Sequence, residues 1–203
     1  QSRSSWHGTH VTGIISMNSS EEGLFGVSNN PNILPVRALG SCGGSLYDVL
    51  DGVLWASGVS VEGVQDNKNP ADIINLSLGG SGPCPNSFQE VLNEVYQKEI
   101  VVVVSAGNSG LDLNRYDVFP ANCDGVITVS GADSQGNLAF YSNYGGTNTV
   151  LAPGGSFLNG IVSTISSGET YPVNDDYSSM IGTSMAAPHV SGVLAGVMNS
   201  HPD

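Results

Sequence analysis

The 203 residues carry a formal net charge of −13, with five Lys plus Arg against 18 Asp plus Glu, and 39% of them are apolar. That length and apolar share support one domain with a sizeable core rather than a disordered chain. The shortage of basic residues argues against a nucleic-acid partner, and no apolar run approaches the ~18 residues of a membrane span, so no membrane partner is expected.

In chain order, His7 precedes a mildly helical segment reaching about Asn18. His7 and His10 share a helical face, but no Glu stands in HExxH register and no third ligand is evident, so no metal site is assigned. Residues 33–37 read as a short strand, with Pro35 where its missing N–H is not needed. Ser45 and Asp48 form a capping-box start, and Leu46, Val49, Leu50, Val53 and Leu54 repeat at helical spacing. Residues 59–70 read as a surface connection. Residues 72–78 are a near-continuous apolar run ending in Gly79-Gly80, as in a strand buried on both faces of a parallel sheet. Ser87 to Glu90 read as a second capping box before the stripe Phe88, Val91, Leu92 and Val95. Residues 100–104 are the clearest strand, followed by the glycine-flanked turn at Asn108. Further strands are expected at 126–130, 149–151 and 161–165, and a last helix from about Ser184. Strands alternating with helices predict a parallel sheet with helices on both faces, and active groups at the carboxyl ends of its strands.

Cys42, Cys84 and Cys123 cannot all pair within one chain, and their spacing offers no metal motif. They leave one disulfide plus a thiol, or a partner elsewhere. Gly182-Thr183-Ser184-Met185-Ala186-Ala187-Pro188-His189-Val190 places a hydroxyl near a helix N-terminus, with Pro188 expected in the first turn, where its missing N–H costs little. A lone serine there is ordinarily a helix cap. A nucleophile needs a base, a group that orients the base, and donors for an oxyanion. His7 is the best base and Asn108 the best added donor, although Asn in such a loop is by itself a turn residue. His10 and His189 read as packing histidines, and His201 as solvated. An esterase of the α/β-hydrolase type is set aside: G-x-S-x-G is only partly matched, and only His189 and His201 follow the serine.

His7-Gly8-Thr9-His10-Val11, Asn75-Leu76-Ser77-Leu78-Gly79-Gly80, Ser105-Ala106-Gly107-Asn108 and the block from Gly182 to Val190 resemble the motif blocks of the subtilisin-like serine proteases, in that family's order. The resemblance runs from Ser5 to about Ser200. It implies a three-layer α/β fold with a mostly parallel central sheet, one partial peptidase domain over 1–203, and secretion. It implies a serine endopeptidase acting through an acyl-enzyme, with polypeptide substrates, no cofactor for the chemistry, and a monomeric state. His7 matches the general base, Ser184 the nucleophile, and Asn108 with the Ser184 N–H the oxyanion hole. Ser77, Leu78 and Gly79 match the edge that pairs with substrate, and Ser105, Ala106 and Gly107 the opposite wall of an uncharged pocket. A Cys84–Cys123 disulfide fits the family picture. A structural calcium ion is also implied, with oxygen ligands on offer around Asp112, Asn114 and Asp117 or around Asn174, Asp175 and Asp176.

One departure stands out. The family's third catalytic member is an Asp at the end of a strand before the histidine block; Asp48, Asp51 and Asp72 all follow it and match no such motif. The expectation is a fragment incomplete at both ends, with the triad Asp and a partner for Cys42 upstream of Gln1 and little activity of its own. The alternative is a catalytically inactive, peptide-binding relative.

Overall fold

A computed structural model describes residues 3–40, 42–146 and 149–201. The elements in order are α1 (His7–Ser16), β1 (Asn18–Ser19), β2 (Leu24–Phe25), α2 (Leu46–Ala56), β3 (Ile73–Leu76), β4 (Gly80–Ser81), α3 (Asn86–Gln97), β5 (Val101–Ser105), β6 (Val118–Phe119), β7 (Val126–Ala132), β8 (Thr149–Pro153), β9 (Ile161–Ser166), β10 (Asp175–Met180) and α4 (Thr183–Ser200). The central sheet is parallel, in the order β3-β5-β7-β8.

Strand β5 shows why the sheet carries helices on both faces. Successive side chains point to opposite sides. Val102 and Val104 join Val49, Leu50 and Val53 of α2 and Phe88, Leu92 and Val95 of α3 in one core cluster. Val101 and Val103 face the other way, into a cluster with Ala186, Ala187, Val190 and Leu194 of α4. α1 packs on α4 through Val11, Ile14 and Met185. These are the three layers of the expected α/β fold.

The Ser45–Asp48 capping box is formed: Ser45 Oγ accepts from the Asp48 N–H at 3.1 Å, and Asp48 Oδ2 accepts from the Ser45 N–H at 3.1 Å. The second box is not. α3 starts at Asn86 with Pro85 as N-cap, which puts Ser87 inside the first turn. Gln89 instead clamps Asp124, accepting its N–H at 2.8 Å and donating to its carbonyl at 3.1 Å. This clamp lies beside the disulfide between Cys84 and Cys123.

Three further expectations change. Residues 33–37 carry no ladder hydrogen bonds. Leu34 packs on the core while Ile33 and Val36 stay exposed, so composition specifies a strand-like segment but no strand among the described residues completes it. β9 is not part of the parallel sheet; it pairs antiparallel with β10, from Ile161↔Met180 to Ser166↔Asp175. The polar sequence DDYSSM of β10 gave no apolar run to read. Pro188 is the third correction: α4 begins at Thr183, so this proline lies beyond the first turn.

The disulfide closes a loop spanning 39 positions in sequence. Cross-linking a loop of that size removes about 4 kcal/mol of unfolded-state chain entropy. The Cys84→Ser/Cys123→Ser double variant is expected to lose stability by an amount of that order, read as a lowered urea midpoint; an unchanged midpoint would contradict the bridge's structural role.

Candidate active site

β3 and β5 are neighbours in parallel register, Leu76 opposite Val104, so their carboxyl ends leave the sheet side by side. The start of α4 reaches the same place. Leu78, Gly79, Ser105, Gly107, Asn108 and Ser184 line one groove of about 330 Å³, together with Val118, Phe119 and Asn143; among the described residues no charged side chain lines it. A Cβ at Gly79 would collide with the Phe119 carbonyl, so this wall tolerates only glycine without a backbone shift.

Ser184 is the second residue of α4, among N–H groups that have no partner within the helix. Gly182 before it holds φ +146°, a conformation that favours glycine. The Ser184 hydroxyl donates to the Ser77 carbonyl at 3.2 Å, and the Ser77 hydroxyl donates to the Ser184 carbonyl at 2.9 Å. Asn108 Oδ1 accepts from the Thr183 N–H at 2.8 Å and from Thr183 Oγ1 at 3.0 Å. Thr183 Oγ1 accepts in turn from the Gly107 N–H. A backbone N–H can only donate, so the carboxamide has one orientation, and its two-proton Nδ2 end is left for the groove.

Sequence reasoning missed Thr183, which reads as a flexible partner of Gly182 but is fully buried. It also missed Asn143. This buried carboxamide accepts from the Ser109 and Leu111 N–H groups and donates to the Ala106 carbonyl, pinning the loop that carries Asn108. Thr183 stands inside the motif block from Gly182 to Val190, but its role and that of Asn143 depend on partners far away in sequence. Ala106 lies behind the groove: it is fully buried, and its N–H donates to the Val129 carbonyl.

His7 is the first residue of α1. Trp6 before it adopts a left-handed conformation, φ 52°, held by its indole N–H donating to the Gly168 carbonyl at 2.6 Å. His7 lies one turn before Val11, and Val11 packs with Met185, the neighbour of Ser184. Burial, then the nearby His10, holds the His7 imidazole below its ordinary pKa, so it is neutral and able to accept a proton near pH 7. Among the described residues no hydrogen bond joins His7 to Ser184, and no carboxylate lies within ion-pair reach of the ring.

His10 is fully buried, with Nε2 within 3.1 Å of the Ile161 carbonyl and 3.0 Å of the Ser178 carbonyl. It fastens α1 to the β9–β10 hairpin, and its Nδ1 has no hydrogen-bond partner among the described residues. His189 Nδ1 donates to the Met185 carbonyl at 2.8 Å, and His201 is exposed. At the two suggested calcium loops, no group of three or more His, Cys, Asp or Glu side chains gathers among the described residues. Asp112 is occupied by both N–H donors of Asn114 and by Arg115, while Asp175 and Asp176 lie in strand β10.

Comparison with known proteins gives a consistent set of likenesses. A family model described as the subtilase family matches residues 1–203. An extracellular protease of Xanthomonas campestris is 45% identical over 200 residues, which are 98% of this chain and 33% of that protein. Subtilisin DY of Bacillus licheniformis is 35% identical over 198 residues, 97% of this chain and 64% of that protein. A solved protease structure from Pseudoalteromonas arctica superposes with a TM-score of 0.93 at 45% identity, covering 100% of this chain and 61% of its own. The chain therefore spans between a third and two thirds of these relatives.

Burial lowers the pKa of His7, His10 and His189 alike. A histidine whose folded pKa lies below its unfolded value, about 6.5, contributes stability that is complete above that value and is lost as pH falls through it. The urea midpoint is expected to be level above about pH 7 and to fall as pH drops below about 6.5. His10→Gln, which removes one of the three titrations, should make that fall shallower; equal midpoints at pH 7.5 and 5 in the parent protein would refute the assignment.

Proposed function

The chain belongs to the subtilase family, and from that premise we propose that the protein is a secreted, monomeric serine endopeptidase that cleaves polypeptides, with residues 1–203 as part of its peptidase domain. The observation that carries this reading is the meeting of Ser184 with an oriented Asn108 carboxamide in one groove at the strand ends. Relatives named as extracellular proteases and a disulfide in the fold support secretion.

In this mechanism an extended substrate adds as a strand along Ser77, Leu78 and Gly79, with Ser105 and Gly107 forming the facing wall and Ala106 buried behind it. The uncharged groove selects apolar side chains beside the scissile bond. The Ser184 hydroxyl leaves the Ser77 carbonyl, gives its proton to His7 and attacks the substrate carbonyl carbon. Asn108 Nδ2 and the Ser184 N–H donate to the resulting oxyanion. His7 then protonates the leaving amine, and water releases the acyl group by the reverse sequence. An aspartate that orients the His7 ring and stabilises its cation comes, in this reading, from outside residues 1–203. No cofactor enters the chemistry.

The full-length protein is expected to react with a fluorophosphonate at Ser184, and both labelling and peptide hydrolysis should vanish in Ser184→Ala. Asn108→Ala should lower kcat by about 10²–10³, the size known for loss of such a donor in a subtilisin, with little change in KM. Turnover that survives Ser184→Ala would end the proposal.

A further inference from the structure

Pro188 stands four residues after Ser184 inside α4. The helical ladder would pair the Ser184 carbonyl with the N–H at position 188, and proline has none. That carbonyl is nevertheless paired, because the Ser77 hydroxyl donates to it at 2.9 Å from 107 positions away. Ser77 Oγ accepts from Asn75 Nδ2 at 2.9 Å, and Asn75 Oδ1 accepts from Ser191 Oγ at 2.9 Å. The Ser184 carbonyl can only accept, so the chain runs in one direction: Ser191, whose hydroxyl also lies 3.3 Å from the Ala187 carbonyl, to Asn75 to Ser77 to the Ser184 carbonyl. It starts and ends on α4 and passes through β3 and the residue just beyond it.

Resting on the reading of Ser184 as nucleophile, we infer that the Ser77 hydroxyl, oriented by Asn75 and Ser191, is a positioning residue for that nucleophile. It replaces the hydrogen bond that Pro188 removes and fixes the first turn of α4 against the substrate-binding edge. The Ser184 Oγ and N–H then stand at a set distance from the groove. This is a role for the Ser77 side chain, separate from any contact its backbone makes with substrate.

The test is a cycle in the full-length protein. Ser77→Ala is expected to lower both kcat and the rate of fluorophosphonate labelling about tenfold, the worth of one hydrogen bond, with KM changed less than about twofold. Pro188→Ala restores an N–H for the Ser184 carbonyl, so adding Ser77→Ala in that background should cost less than about twofold. The inference is overturned if Ser77→Ala matches the parent while Ser184 still labels, or if its cost is the same in both backgrounds. Turnover that persists in Ser184→Ala is a different failure: it removes the nucleophile itself, and this inference with it.

Discussion

The close seating of α4 on the central sheet governs where the groups of the site lie. Ala186 and Ala187 are fully buried against Val103, Val129 and Ala152, and such small side chains let the helix approach closely. The next residue back, Met185, packs instead on Val11 and Ile14 of α1. One short stretch of helix therefore fixes two distances at once: that of Ser184 from the strand ends, and that of α1 from Ser184. A larger residue at either alanine would lift the helix and loosen both.

Around that contact the polar groups are arranged to leave few choices. Thr183 settles the Asn108 amide, Asn143 settles the loop behind it, and Ser77 and Ser184 exchange hydrogen bonds between hydroxyl and carbonyl. Buried polar groups specify a unique arrangement only when their partners are in place. Away from these groups, Trp6 and His10 fasten the start of α1 to the β9–β10 hairpin. The hairpin thus acts as a brace for the helix that carries His7, although none of its residues lines the groove.

Much of this was legible in the linear chain because it rests on local chemistry. The apolar runs at Ile73–Leu76 and Val101–Ser105 declare doubly buried strands, and Ser45 with Asp48 declares a helix start whose partners are only three residues apart. The expectations that changed have partners at long range or none. The segment around Pro35 had strand-like composition without a ladder, β10 was too polar to stand out, and Ser87 was displaced as a cap by Pro85.

The sequence by itself determined the class of fold and which residue types could do chemistry, since periodicity and motif spacing are properties of neighbouring residues. Only the tertiary structure decided that Asn108 and Ser184 share a groove, that Ser77 exchanges hydrogen bonds with Ser184, that Thr183 aims the carboxamide, and that a hydroxyl from beyond β3 fills the gap left by Pro188. Those contacts join positions some 75 to 107 residues apart. Chain folding brings such groups together only through the packing of whole elements, and no local pattern encodes it.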